Sequence, residues 1–200
     1  MRGATVLIVN TSTANLASVI SALSRAGATS RVTDNLSEIA TAQAVVLPGV
    51  GTFSAAMTQL RARNLVEVLK TRILAKRPTL AICLGLQLLC ETSEESPGEY
   101  GLSILSQCAR RFPNSVSVPH LGWNMVEASS QCRLLQSGYA YFANSYRILE
   151  QPPGWNVAAT THGNTFVSAI ESGAVLGCQF HPELSGDWGV SLLKRWLSSF

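Results

Sequence analysis

Short apolar runs alternate with amphipathic segments over the first half of the chain. Runs such as Thr5–Val9 and Ala44–Leu47 show no polar alternation, which is typical of strands covered by helices on both faces. Between them, apolar residues recur at helical spacing. We predict strands over Thr5–Val9, Thr29–Val32, Ala44–Leu47 and the run after Pro78, and helices over Asn15–Arg25 with Asn15 as its cap, Asn35–Ala42, Phe53–Arg61 and Asn64–Lys76.

The second half consists mostly of short strand-like runs separated by turn residues, and looks largely antiparallel. The predicted strands are Ser103–Phe112, Ser115–Val118, Asn124–Ala128, Tyr139–Tyr146, Asn156–Thr161, Thr165–Glu171 and Val175–Phe180, followed by a helix over Trp188–Phe200. Alternating strands and helices imply βαβ units with right-handed crossovers. The pattern therefore predicts one α/β domain over residues 1–200, with a central, mostly parallel sheet flanked by helices and antiparallel strands added by the second half.

Composition narrows the class of protein. Hydrophobic residues make up 46% and charged residues 14% of the chain, which indicates a compact globular protein. The net charge is only +3 and no basic run is interleaved with aromatics, so we expect no nucleic-acid partner. No apolar stretch is long enough to cross a bilayer. The five cysteines include no Cys-x-x-Cys pair, so we expect no disulfide framework, no metal site and a cytoplasmic location.

The segment around Cys83 carries the strongest chemical signal. In Ala81-Ile-Cys83-Leu-Gly85, small residues lie two positions before and two after the cysteine, between a strand-like and a helix-like run. This pattern is typical of a nucleophile elbow, with Cys in the place of Ser. A helix N-terminus aimed at the sulfur would favour the reactive thiolate. A cysteine that only packs at the end of a core strand fits the same segment.

A base and a carboxylate follow much later in the chain. His181 ends a predicted strand, Pro182 forces a turn, and Glu183 is placed to accept a hydrogen bond from the imidazole. This is the logic of a nucleophile–His–carboxylate triad, although a histidine that caps a turn is the plainer interpretation of His181 by itself. The other histidines, His120 and His162, are expected in loops, with His162 exposed.

Two glycines follow the third predicted strand, in Pro48-Gly49-Val50-Gly51. Glycines on either side of one residue allow positive φ and expose backbone N–H groups, although an ordinary βα turn has the same composition. Ligands bind at the carboxyl ends of strands in open α/β sheets, so this loop and Cys83 are expected to share a crevice.

Taken together, Gly49-x-Gly51, Cys83-Leu-Gly-x-Gln87 and His181-Pro-Glu183 resemble the class I, or triad, glutamine amidotransferases. Further segments are similar to one branch, the glutaminase subunits of imidazole glycerol phosphate synthases. These segments are Pro48–Phe53, Ser93–Glu95, Pro119–Asn124, Tyr141–Tyr146 and Gln179–Gly186, so the resemblance spans essentially the whole chain.

The resemblance implies that L-glutamine is hydrolysed to glutamate and ammonia without a cofactor. Cys83 would be the nucleophile, His181 the base and Glu183 its orienting carboxylate. The amides of Leu84 and of the Val50–Gly51 peptide would form the oxyanion hole. The residues implied to bind the amino-acid part of glutamine are Gly49, Gln87, Glu95, Ser145 and Tyr146. The residues alone would not have favoured Glu95 over Glu94.

The resemblance also implies a partner, a (β/α)8-barrel cyclase subunit that receives the ammonia. The implied interface residues are Pro119, Trp123, Asn124, Tyr141 and Leu184. The family usually has Lys or Arg at the position of Leu184, where it pairs with an acidic residue of the cyclase, so that ion pair is missing here. Two alternatives stay open: an amidotransferase for another ammonia acceptor, which a changed partner contact at Leu184 would fit, and a non-catalytic regulatory subunit.

Overall fold

Strands and helices alternate in the first half of the chain, and strands dominate the second. The computed structural model describes residues 4–11 and 16–200. Within them the strands are β1 (Thr5–Val9), β2 (Thr29–Thr33), β3 (Ala44–Leu47), β4 (Thr79–Ile82), β5 (Cys90–Ser93), β6 (Leu105–Arg111), β7 (His120–Ala128), β8 (Gly138–Asn144), β9 (Tyr146–Arg147), β10 (Asn156–His162), β11 (Asn164–Ser172) and β12 (Val175–Cys178). The helices are α1 (Leu16–Arg25), α2 (Leu36–Thr41), α3 (Phe53–Ala62), α4 (Leu65–Leu74), α5 (Leu84–Gln87) and α6 (Gly186–Leu197), with a 3-10 turn at Pro182–Leu184.

One mixed sheet organises the fold. Its strand order is β2-β1-β3-β4-β12-β11-β10-β7-β8. The first five strands in this order run parallel, and each later strand is antiparallel to its neighbour. Strand β12 therefore joins the two halves, since it comes from the second half of the sequence and pairs in parallel with β4. The predicted α/β class is confirmed. Strands β5, β6 and β9 form a small separate sheet.

Hydrophobic layers cover both faces of the parallel strands. Successive residues of β1 belong to different layers: Val6 and Ile8 pack in one cluster, Leu7 and Val9 in the other. Apolar residues of α1 and α6 complete the first cluster, and those of α3 and α4 complete the second. Side chains on a strand point alternately to opposite faces, so an unbroken apolar run is what a strand buried on both sides requires.

Several predicted elements differ from those observed. The segment Ser115–Val118 is not a strand, β5 was not predicted, and the strand predicted over Tyr139–Tyr146 is interrupted at Ser145. Strand β7 begins at His120, which is a buried strand residue and not part of a loop. The predicted cap Asn15 lies outside the described residues.

His162 closes β10 and is only half-exposed, because its ring stacks on His120 with centroids 4.2 Å apart. Among the described helices, none combines the length and the hydropathy that crossing a bilayer requires.

Candidate active site

The two halves of the chain meet where β4 and β12 end side by side. These strands pair in parallel up to Ile82 and Cys178, and the Cys83 amide then donates to the Cys178 carbonyl at 2.7 Å. Cys83 directly follows one strand, and His181 follows the other by three residues. Parallel pairing therefore brings a cysteine and a histidine that are distant in sequence to the same edge of the sheet.

Cys83 occupies a sharp turn with a backbone conformation that L-residues seldom adopt, φ 53° and ψ −110°. Its close neighbour Gly85 has no room for a side chain, because a Cβ there would lie 2.1 Å from the Leu47 carbonyl oxygen. The predicted elbow is thus present. The helix after it, α5, is only one turn long. Leu84 is its first residue, so the Leu84 amide has no partner within that helix.

His181 is oriented by its own turn. Nδ1 of His181 lies 2.8 Å from Oε1 of Glu183, and both side chains are buried. Ser185 Oγ donates to the His181 carbonyl at 2.6 Å and accepts from the Tyr141 amide at 3.0 Å. Burial by itself would lower the pKa of His181. Hydrogen bonds with Cys83 and Glu183, together with their charges, instead raise that pKa to about 10. The carboxylate thus holds the ring, and all three side chains line one cavity.

The glycine loop after β3 packs against the elbow. A Cβ on Gly49 would lie 2.4 Å from the Gly85 nitrogen and 2.7 Å from the Leu84 Cβ, so only glycine fits there. Gly51 has φ +97°. The expectation of positive φ therefore holds for Gly51 alone, and Gly49 is required by the close approach of two backbones.

A cavity of about 370 Å³ opens at this edge of the sheet. It is lined by every predicted triad, oxyanion-hole and substrate-binding residue and by one predicted interface residue. These are Cys83, His181, Glu183, Val50, Gly51, Leu84, Gly49, Gln87, Glu95, Ser145, Tyr146 and Leu184. An amino acid is a small ligand for which such a volume suffices.

The neighbouring residues Glu94 and Glu95 have different surroundings in the structure. Oε2 of Glu95 accepts from the Phe53 amide at the start of α3, at 2.6 Å, and the residue lines the cavity. Glu94 instead accepts from the Arg111 amide at 2.8 Å and lies 3.8 Å from Arg110. Of these two glutamates, only Glu95 therefore lines the cavity.

Asn144 is a cavity residue that sequence reasoning missed. Its Nδ2 donates to the Tyr146 carbonyl at 2.9 Å, and its buried Oδ1 has no hydrogen-bond partner among the described residues. The sequence feature that could have identified it is its position in the Tyr141–Tyr146 segment, just before two predicted substrate-binding residues. Among the described residues, no cluster of three or more His, Cys, Asp or Glu side chains could hold a metal ion.

The predicted interface residues lie mostly on one strand pair. The outward side chains of β7 and β8 form an apolar surface, called here the β7–β8 face. It is made of the exposed Leu121, Trp123, Met125 and Tyr139 and the half-buried Tyr141. Trp123 is 58% exposed and packs edge-on to Tyr141.

The other predicted interface residues surround this face. Pro119 is exposed just before β7, and Leu184, 42% exposed, lies at the cavity wall. The Nδ2 group of Asn124 donates one hydrogen bond to His120 Nε2 and another to the Thr161 carbonyl, so both of its amide hydrogens are bonded within the chain.

Comparisons with known proteins agree with this site. The model of the family "Glutamine amidotransferase class-I" matches residues 7–198. Three relatives are each named imidazole glycerol phosphate synthase subunit HisH. The one from Symbiobacterium thermophilum is 37% identical, covering 96% of this chain and 93% of its own. Those from Salmonella typhimurium (40%) and Escherichia coli K12 (39%) cover 96% of this chain and 98% of their own.

Solved structures share the architecture. A crystal structure of a glutamine amidotransferase superposes with a TM-score of 0.78 at 18% identity, covering 96% of this chain and 97% of that one. The structure of PurLQS from Thermotoga maritima gives 0.72 at 15%, covering 98% of each chain. At such identities the likeness concerns the fold alone.

Proposed function

Since this chain belongs to the class-I glutamine amidotransferase family, we propose that it is the glutaminase subunit of an imidazole glycerol phosphate synthase in histidine biosynthesis. The observation that carries the proposal is that Cys83, His181 and Glu183 line one cavity, with His181 hydrogen-bonded to Glu183. The relatives named as subunits of this synthase support the choice of enzyme, because they cover nearly the whole chain.

The reaction begins with attack of the Cys83 sulfur on the side-chain amide carbon of glutamine. His181 takes the thiol proton and donates it to the amide nitrogen as the carbon–nitrogen bond breaks, which releases ammonia and leaves a thioester. Water, deprotonated by His181, then attacks the thioester. Glutamate leaves and the Cys83 thiol is restored.

The charge state of His181 suits this role. With a pKa of about 10, the imidazole holds a proton strongly beside Glu183. A strongly basic imidazole suits the group that takes a proton from the nucleophile and holds it during the attack. Glu183 stabilises the imidazolium and fixes the ring, so that the other nitrogen faces the sulfur.

Backbone amides stabilise the tetrahedral oxyanion in this scheme. The Leu84 amide directly follows the nucleophile and has no partner within α5. The second donor is the Val50–Gly51 peptide, in a loop whose position is set by the Gly49–Gly85 contact. Each such donor contributes about 2.7–4 kcal/mol to lowering the barrier.

Substrate recognition is assigned to polar groups of the cavity wall. Glu95 supplies a carboxylate for the substrate ammonium, and Gly49, Gln87, Ser145 and Tyr146 surround the amino-acid portion. The Gln87 amide nitrogen donates to the Tyr146 carbonyl at 3.1 Å, which positions that side chain before substrate enters. A preformed pocket lowers the entropic cost of binding.

The ammonia is passed to a partner in this proposal. HisH is named as a subunit in the relatives, and we assign a (β/α)8-barrel cyclase as the second subunit. The β7–β8 face supports this assignment, because contiguous exposed aromatic and aliphatic side chains are typical of a protein interface. The partner would dock through this face, Pro119, Asn124 and Leu184. A cytoplasmic location, expected from the cysteine usage, belongs to the same proposal.

The decisive experiment is Cys83→Ala in the complex with a candidate cyclase. Glutamine-dependent turnover should be abolished, whereas turnover with added ammonium should stay near that of the unmodified complex. Equal loss of both activities would contradict the scheme. Complementation of a histidine auxotroph distinguishes this synthase from an amidotransferase with another acceptor, and a chain that binds the cyclase without hydrolysing glutamine would be a regulatory subunit.

A further inference from the structure

A buried amide lies against the nucleophile, in the segment that joins β12 to His181. Gln179 is fully buried, and its Nε2 lies 3.7 Å from the Cys83 sulfur. Its backbone is held as well, because the Gln179 amide donates to the Ser168 carbonyl at 2.8 Å. The side chain therefore reaches the sulfur from within the protein, and Gln179 is not among the cavity-lining residues.

The hydrogen-bond network fixes which end of this amide faces the sulfur. Gln87 Nε2 lies 3.1 Å from the Tyr146 carbonyl, which can only accept, so the Gln87 nitrogen must be the donor there. The same Gln87 nitrogen lies 3.1 Å from Gln179 Oε1. With Oε1 of Gln179 accepting that second hydrogen, its NH₂ group is directed at Cys83.

We propose that Gln179 is a positioning residue that donates a hydrogen bond to the Cys83 thiolate, and that Gln87 locks it in this orientation. This inference rests on the proposed function in taking Cys83 as the nucleophile. It connects the cavity wall to the reacting atom through a relay from the Tyr146 carbonyl through Gln87 and Gln179 to Cys83.

The relay has two chemical consequences. A donor at the sulfur stabilises the thiolate, the reactive form, more than the neutral thiol. It also restrains rotation about the Cys83 Cα–Cβ bond, which keeps the sulfur between His181 and the glutamine carbonyl. Both amide hydrogens of Gln87 are donated within the relay. Only its Oε1 therefore remains to contact a ligand, and an oxygen acceptor suits the substrate ammonium.

The test is the pH dependence of Cys83 alkylation by iodoacetamide, followed on the Cys83-containing peptide by mass spectrometry. In Gln179→Met, the donor is lost at similar volume. The midpoint should rise by about one pH unit, and the rate at pH values below it should fall about tenfold. Gln179→Glu should raise the midpoint at least as far, since a carboxylate beside the sulfur opposes its ionisation.

Ser168→Ala is the matched control, because it alters a fully buried side chain beside the Gln179 backbone without touching Cys83. Its midpoint should equal that of the unmodified chain. Gln87→Met should shift the midpoint in the same direction as Gln179→Met, and the double variant should add little.

An unchanged midpoint in either Gln179 variant that folds, as judged by circular dichroism and thermal unfolding, would overturn the inference. Failure of both variants to fold would overturn it too, because Gln179 would then serve the fold. Alkylation requires no glutamine turnover. A chain that lacks glutaminase activity would therefore refute the proposed function while leaving this comparison intact.

Discussion

Gly49 and Gly85 touch backbone to backbone, since a Cβ on Gly49 would lie only 2.4 Å from the Gly85 nitrogen. This contact joins the two segments that supply the proposed oxyanion hole. The loop after β3 and the elbow after β4 come from adjacent strands, and only glycine lets their backbones approach this closely. The position of one donor therefore depends on the position of the other.

Substitution Gly49→Ala should separate these two segments. The added methyl meets backbone atoms of Leu84 and Gly85, which cannot move without distorting the elbow. We expect glutaminase activity in the complex to fall by about 10²–10³-fold, the loss typical for one oxyanion donor. Gly98→Ala, where φ is +83° but space is open, should leave activity unchanged. Similar activity of both variants would contradict the assigned role.

Substitution Glu183→Gln should impair His181. The amide keeps the size of Glu183 but removes the charge that raises the His181 pKa and stabilises the imidazolium. We expect kcat for glutamine to fall by about 10³–10⁴-fold in the complex. Turnover with ammonium serves as the control and should be retained. A loss below tenfold would show that Glu183 does not orient the base.

Glu171, on β11, holds the loop between β7 and β8 through backbone hydrogen bonds. Its buried carboxylate accepts from the amides of Arg133, Leu134 and Leu135 at 2.5, 2.9 and 3.0 Å. Glu171→Gln should lower the free energy of unfolding by about 2–3 kcal/mol, because hydrogen bonds to a charged acceptor are replaced by one neutral acceptor and one misplaced donor. Urea unfolding measures this. As a control, Glu127→Gln, at an exposed position on β7, should change the free energy of unfolding by less than about 0.5 kcal/mol.

His120 should make the fold sensitive to acid. Burial, and secondarily the neighbouring His162, lower the pKa of His120 to about 4, from 6.5 in an unfolded chain. The unfolded state thus binds the proton more readily between these values. The contribution of His120 to stability is present above pH 6.5 and is lost as the pH falls towards 4, up to about 3 kcal/mol.

His120→Phe provides the comparison for this acid effect. It keeps an aromatic ring on Phe142 but cannot titrate, so its urea midpoint should decline less than that of the unmodified chain between pH 6.5 and 4. Parallel declines of the two proteins would show that His120 does not account for the acid sensitivity.

Trp123 should dominate partner binding. It is 58% exposed at the centre of the β7–β8 face, opposite Tyr141 in the strand register. Trp123→Ser should weaken association with the cyclase by about 30-fold or more, as expected when a central aromatic side chain is truncated. Leu74→Ser removes a side chain that is 64% exposed on α4, outside this face, and should leave the measured Kd unchanged. Equal affinities of both variants would place the interface elsewhere.

Local sequence determined much of this molecule. Unbroken apolar runs required strands buried on both faces, and small residues around Cys83 permitted the sharp turn. Pro182 and Glu183 brought a turn and a carboxylate next to His181. These inferences succeeded because each depends on residues that are neighbours in the chain, where periodicity and steric size act directly.

Tertiary structure alone decided the rest. The pairing of β12 with β4, the placement of Glu95 and not Glu94 in the cavity, and the contact of Gln179 with Cys83 all join segments distant in sequence. The failed strand at Ser115–Val118 and the unforeseen β5 have the same origin, since a strand exists only where another strand pairs with it. Long-range pairing depends on how the whole chain packs, so the local periodicity of the sequence does not predict it.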